Sequence, residues 1–172
     1  EILTDPSYAN QIITFTFPHI GNTGTNKDDI EAEKPAAKGL VIREDITEPS
    51  NFRSNNHFNN WLKKKNLIGI SGIDTRHITH TLRDKGALNA VISFKKNGLF
   101  NIKSLLKKAK DWNEINNRDL TKQVTRKQNA LWKETTWEAM SGYGKNIKKN
   151  FHVIAIDYGA KNNILRNLAS LG

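Results

Sequence analysis

The sequence predicts an α/β protein, and three observations support this fold class. Residues 11–17 alternate apolar and polar side chains with the period of two that is typical of a half-buried strand. Residues 74–86 carry the signals of a helix, with Asp74 as N-cap and Gly86 at the C-terminal cap. Residues 151–157 form an apolar run that is followed by a glycine turn and a helical pattern, which is how a parallel α/β domain commonly begins.

The same patterns predict the remaining elements. Further strands are predicted at residues 39–43, 67–70 and 88–94, and further helices at 54–65, 102–112 and 164–171. Residues 19–38 form a long polar connection, and a connection of that length is usually functional or packed as a loop of its own. Residues 141–150 combine glycines with lysines and lack apolar periodicity, which predicts a linker.

Composition limits the classes of function. Apolar residues make up 37% of the 172 residues, which is enough to build a core and excludes wholesale disorder. No window approaches ~18 consecutive apolar residues, so a membrane span is not indicated. Residues 1–10 lack the order of a signal peptide. The chain has no cysteine, which excludes disulfides, thiolate metal sites and a cysteine nucleophile within these residues.

The formal charge of +10 raises nucleic acid as a partner. The lysines are scattered along the chain among many asparagines instead of forming one stripe, and we attribute the charge to compositional drift. A basic nucleic-acid-binding module and a standalone interaction domain remain the alternatives to an enzyme.

Three groups of residues could carry chemistry, and each has a plainer interpretation. His77 and His80 are three apart on a predicted helix, but no third ligand stands at a suitable spacing, so no metal site is predicted. Asp74 and Arg76 are explained by an N-cap and a solvent or interface arginine. The segment 21–24 (GNTG) lacks the ending of a phosphate loop and predicts a turn. The residues alone identify no reaction.

Six segments, taken in their order along the chain, carry a resemblance to a known family. They are residues 1–8 (EILTDPSY), 18–26 (PHIGNTGTN), 39–43 (GLVIR), 50–53 (SNFR), 72–76 (GIDTR) and 157–166 (DYGAKNNILR). Together they resemble the small, glutamine-hydrolysing subunit of carbamoyl phosphate synthetase. The resemblance covers nearly the whole chain and is loosest from about residue 95 to 140. One departure is Ala90, where relatives commonly have glycine.

The resemblance implies a division into domains. Residues 1–140 are expected to form the N-terminal domain of that subunit, a layered β/β/α (swivelling-type) fold whose opening strands are missing. Residues 141–150 are the linker, and residues 151–172 begin a class I glutamine amidotransferase domain. The resemblance also implies glutamine hydrolysis by a Cys-His-Glu triad that lies beyond Gly172, so this fragment alone is expected to be inactive.

The resemblance implies one site residue. Ser7, in the TDPSY motif, is expected to bind substrate glutamine, since a hydroxyl can both donate and accept a hydrogen bond. Ammonia is expected to pass to a large-subunit partner, which uses ATP and Mg to make carbamoyl phosphate from bicarbonate for arginine or pyrimidine biosynthesis. A cytoplasmic heterodimer is expected. No cofactor, metal, nucleic acid or membrane is expected to bind these residues.

Overall fold

The computed structural model describes residues 1–112, 118–147 and 150–172, and its mixed α/β architecture confirms the predicted fold class. Two short 3-10 helices, Ile2–Thr4 and Pro6–Tyr8, open the chain. The remaining elements are β1 (Ile12–Thr14), β2 (Gly39–Val41), α1 (Phe58–Lys64), β3 (Ile68–Ile70), α2 (Thr75–Lys85), α3 (Ile102–Lys110), α4 (Thr121–Val124), β4 (Glu134–Glu138), β5 (Gly142–Lys145) and α5 (Asn162–Ser170).

The chain divides into two compact units. The sheet unit, residues 10–25 and 37–118, contains β1 to β3 and α1 to α3. The hairpin unit, residues 1–9, 26–36 and 119–172, contains both 3-10 helices, α4, the β4–β5 pair and α5. The domain boundaries near residues 140 and 150 stay a prediction.

The sheet unit is built on three parallel strands in the order β1-β2-β3. Ile12 lies opposite Gly39, and Gly39 lies opposite Ile68. Helix α1 connects β2 to β3, because parallel neighbours require a crossover. Leu40 of β2 and Leu62 of α1 are buried and form the centre of this unit's core. The three strands confirm the positions predicted for them, although each is shorter than expected.

Helix α2 confirms both predicted ends. The Asp74 carboxylate accepts the His77 N–H at 2.9 Å, and this hydrogen bond lowers the pKa of Asp74. Gly86 follows the helix with φ +78°, in the left-handed region that favours glycine.

Helix α1 begins later than predicted. The backbone of Asn55 and Asn56 is paired with Thr25, which holds these residues in an extended conformation. The helix therefore starts at Phe58, where the preceding His57 accepts the Asn59 N–H at Nδ1.

Two apolar runs predicted to be strands are not strands. Residues 88–94 and 151–157 join no ladder among the described residues. Most of their large side chains are exposed, from 40% for Val91 to 81% for Ile154, whereas Ile92 is half-buried. Both predictions are wrong because an apolar run indicates a tendency to be buried, whereas a strand also needs a neighbour for its N–H and C=O groups.

The linker prediction is also wrong for part of its length. Residues 142–145 form β5, which pairs antiparallel with β4, with Trp137 opposite Tyr143. Lys148 and Lys149 lie outside the described residues. Helix α5, which confirms the predicted C-terminal helix, packs on β4, and the Thr136 N–H donates to Ser170 Oγ at 2.9 Å.

Candidate functional site

Ser7 lies in the second 3-10 helix, at the surface of the hairpin unit. The helix forms because Asp5 is its N-cap and Pro6 its first residue, which fixes the backbone without a donor to satisfy. The Ser7 N–H donates to Asp5 Oδ1 at 2.9 Å. Asp5 and Pro6 are buried, whereas Ser7 is exposed. The motif therefore presents the hydroxyl-bearing residue on a fixed turn.

The turn that carries Ser7 is attached to the segment before α5. The second carboxylate oxygen of Asp5 lies 3.6 Å from Lys161 Nζ. Pro6 borders Gly159, since a Cβ atom at Gly159 would lie 3.5 Å from Pro6 Cβ. The ion pair and this close approach thus bring residues 5–6 next to residues 159–161. The resemblance assigns residues 159–161 to a different domain.

The segment before α5 is a tight turn closed by Asp157. One carboxylate oxygen, Oδ1, accepts the N–H groups of Gly159 and Ala160, both at 2.7 Å. Gly159 has φ +105°, a conformation that side chains rarely adopt. This turn confirms the glycine turn predicted after residue 157.

The electrostatics of this turn favour the ionised Asp157. Partial burial raises the pKa of Asp157, but the N–H groups of Ala160, Gly159 and Arg126 donate to the carboxylate, and the net result is a lowered pKa. Arg126 adds its charge, with Nε 3.4 Å from Asp157 Oδ2. The same guanidinium donates from Nη2 to the Asn162 side chain at 2.6 Å, which extends the network into α5.

The other candidates lie in the sheet unit. Asp74, Arg76, His77 and His80 are exposed and lie on α2 or at its start. Residues 21–24 form the predicted turn, in which the Gly24 N–H donates to the Gly21 carbonyl at 2.9 Å. The described ranges contain no group of three or more His, Asp or Glu residues placed to hold a metal ion. Nor does any described helix combine the length and apolar character needed to cross a bilayer.

The sequence does not indicate the ion pair that holds the Ser7 turn. Asp5 and Lys161 are far apart in sequence, and nothing in either local pattern indicates that they meet. The Asp-x-Gly order at residues 157–159 was a usable signal, since an aspartate commonly accepts the N–H two residues on. Chemically, the site offers an exposed serine beside a partly buried ion pair, which suits binding of a small polar molecule more than covalent catalysis.

This chain is similar to known proteins along its whole length. The sequence model described as "Carbamoyl-phosphate synthase small chain, CPSase domain" matches residues 1–92. Similar proteins named carbamoyl phosphate synthase small chain occur in Mesorhizobium japonicum and Bradyrhizobium diazoefficiens. Each is 51% identical over 176 aligned residues, which cover 100% of this chain and 44% of the relative. The protein of the same name in Bartonella henselae is 51% identical over 99% of this chain. The chain thus spans less than half the length of these relatives.

Proposed function

Because the chain belongs to the family of carbamoyl phosphate synthase small chains, we propose that it forms the N-terminal part of a glutamine-hydrolysing subunit. In this proposal the subunit releases ammonia from glutamine and passes it to a large subunit. The large subunit then makes carbamoyl phosphate from bicarbonate with ATP and Mg. The identity of about half the residues along the whole chain supports this role.

The proposed hydrolysis needs a thiolate nucleophile, and these 172 residues contain no cysteine. The part played by this chain is therefore binding and docking. We place it in a cytoplasmic heterodimer, with residues 1–140 in the layered β/β/α fold and residues 151–172 in the amidotransferase domain. The alternative, a nucleic-acid-binding module, finds no support in the family match or in the relatives.

The proposed substrate contact is made by Ser7. The single observation behind it is that the Asp5–Lys161 ion pair, beside the close approach of Pro6 to Gly159, holds the Ser7 turn next to the 157–161 turn. A serine held in this way at the start of the amidotransferase domain is suitably placed to hydrogen-bond the charged end of glutamine.

The test compares two nitrogen sources in the complete protein assembled with its large subunit. Loss of one hydrogen bond to a charged group costs roughly 1.5–3 kcal/mol, so Ser7→Ala is expected to raise the KM for glutamine about tenfold or more. Synthesis from free ammonia should keep its rate, because ammonia bypasses the glutamine site. A bulkier change, Ser7→Leu, should enlarge the effect.

Ser104→Ala is the matched control, since Ser104 is an exposed serine on α3 in the sheet unit. This variant should leave both activities unchanged. An equal loss of glutamine-dependent and ammonia-dependent synthesis in Ser7→Ala would refute the proposed contact.

A further inference from the structure

Glu31 is a buried carboxylate to which the proposed function assigns no role. It lies in the polar connection of residues 26–36 and is 4% exposed. Its Oε2 atom accepts the Asn163 N–H at 2.8 Å, and its backbone carbonyl accepts the Asn162 N–H at 3.1 Å. Burial of a carboxylate costs folding free energy unless the group is hydrogen-bonded, so the bond from Asn163 offsets part of the cost of burying Glu31.

Glu31 caps helix α5 from a distant part of the chain. The N-cap residue of α5 is Lys161, whose side chain makes no capping bond. The first N–H groups of a helix need acceptors, and the positive end of the helix dipole favours a carboxylate. Glu31 supplies both the acceptor and the negative charge, and it fixes where α5 begins.

The same residue also holds the segment that leads to Ser7. The Glu31 N–H donates to Thr4 Oγ1 at 3.1 Å, and Thr4, which is 1% exposed, donates in turn to the Glu1 carbonyl at 2.8 Å. A second bond joins these segments, from the Ala36 N–H to the Leu3 carbonyl at 3.0 Å. Thr4 is followed directly by the Asp5-Pro6-Ser7 turn.

We propose that Glu31 is a positioning residue for glutamine, which fixes the Ser7 turn relative to the start of α5. This inference rests on the proposed function of Ser7. Glu31 touches no substrate, and it acts by holding two segments in one geometry, so that the serine hydroxyl and the 157–161 turn meet the same ligand. Its contribution should therefore depend on the presence of the Ser7 hydroxyl.

The experiment is a double-mutant cycle on the KM for glutamine, in the complete protein assembled with its large subunit. Glu31→Asp keeps the charge and the backbone bonds, but its shorter side chain does not reach Asn163. We expect it to raise the KM about tenfold in the wild-type background and less than about threefold in the Ser7→Ala background. Ammonia-dependent synthesis, which bypasses the glutamine site, should stay unchanged, and co-purification with the large subunit reports folding and assembly of each variant.

Two further variants test whether the effect depends on side-chain length at this position. Glu31→Gln keeps the length of the side chain and an acceptor oxygen, so its KM for glutamine should stay within about threefold of wild type. Glu48→Asp makes the same change at an exposed glutamate, 92% exposed at the side chain, and should have no effect.

Other outcomes would contradict either the role of Glu31 or that of Ser7. Equal increases of the KM in both backgrounds, a loss of ammonia-dependent synthesis, or a Glu31→Gln variant as impaired as Glu31→Asp would overturn the positioning role. An effect of Ser7→Ala without one of Glu31→Asp would overturn it while leaving the proposed function intact. A normal KM in Ser7→Ala would overturn the proposed function itself.

Discussion

The guanidinium of Arg166 lies over the ring of Tyr143, with Cζ 3.9 Å from the ring centroid. The same side chain donates from Nε to Glu134 Oε1 at 2.8 Å, and Arg166 is 6% exposed. One side chain of α5 thus contacts both strands of the β4–β5 hairpin.

We expect Arg166→Lys to lower the free energy of unfolding by about 1–3 kcal/mol, because an ammonium group cannot both stack on Tyr143 and donate to Glu134 in this geometry. Thermal unfolding of the complete protein measures the change. Arg83→Lys, at an exposed position of α2, is the control and should be neutral. Equal midpoints for the two variants would show that the stacked geometry contributes nothing.

Tyr143→Phe tests the hydroxyl of the same ring. The hydroxyl donates to the Asp28 carbonyl at 2.5 Å, so its removal should cost about 1 kcal/mol of folding free energy. Burial raises the pKa of Tyr143 above its usual 10.0, although the charge of Arg166 opposes the shift. The stabilisation should be complete below about pH 10 and should disappear as the pH rises through the raised pKa.

The measurement for Tyr143 is thermal unfolding of wild type and variant from pH 7 to 11. Tyr158→Phe, which removes the hydroxyl of a tyrosine that is 71% exposed, is the control. A difference between wild type and Tyr143→Phe that stays constant across the alkaline range would contradict the assignment.

Asp157→Asn should open the turn before α5. The carboxylate accepts three backbone N–H groups, and an amide oxygen is a weaker acceptor, so we expect a loss of about 1 kcal/mol. The folded pKa of Asp157 is lowered, so this stabilisation is present above the unfolded pKa and is lost as the pH falls through the lowered value, below 3.8.

Local hydrogen exchange of a peptide that spans residues 157–163 reports this turn at neutral pH. Asp84→Asn, on the exposed face of α2, is the control for removal of one negative charge. Unchanged protection of the peptide in Asp157→Asn would show that the carboxylate does not hold the turn closed.

Gly159→Ala tests the tightness of the same turn. The new Cβ would lie 2.6 Å from Val124 Cγ2, and φ +105° is strained for alanine. We expect a loss of about 2–3 kcal/mol, of which roughly 1–2 kcal/mol is backbone strain.

Gly98→Ala separates the two causes, because Gly98 has φ +65° with no neighbour within 4 Å of the new Cβ. A second change, Val124→Ala, should recover part of the loss in Gly159→Ala. If both glycine variants lose the same stability, steric contact with Val124 is not a cause.

The sequence allowed local features to be predicted well. Asp74 and Gly86 bound α2 because their signals act within a few residues, and the same holds for the turn at Gly159. Residues 151–157 and 88–94 were misread because strand formation depends on a partner elsewhere in the chain. Hairpin β4–β5 was not predicted, because its strands carry polar and glycine residues without an apolar period.

The candidate site could be predicted only in part from the sequence. Ser7 was found through the resemblance, whereas Lys161 and Glu31 were not found at all. Their roles depend on contacts with Asp5 and Asn163 across most of the chain, and no local pattern indicates such a contact.

The hydrogen bond from Asn163 to Glu31 spans 132 residues of sequence, which has a consequence for the order of folding. During synthesis, residues 10–112 leave the ribosome before α5 exists, so the sheet unit can form first. Residues 1–9 and 26–36 cannot make their contacts with the start of α5 until most of the chain has been synthesised. Contacts of such long range form slowly. We therefore expect the turn that carries Ser7 to be among the last parts of this chain to become ordered.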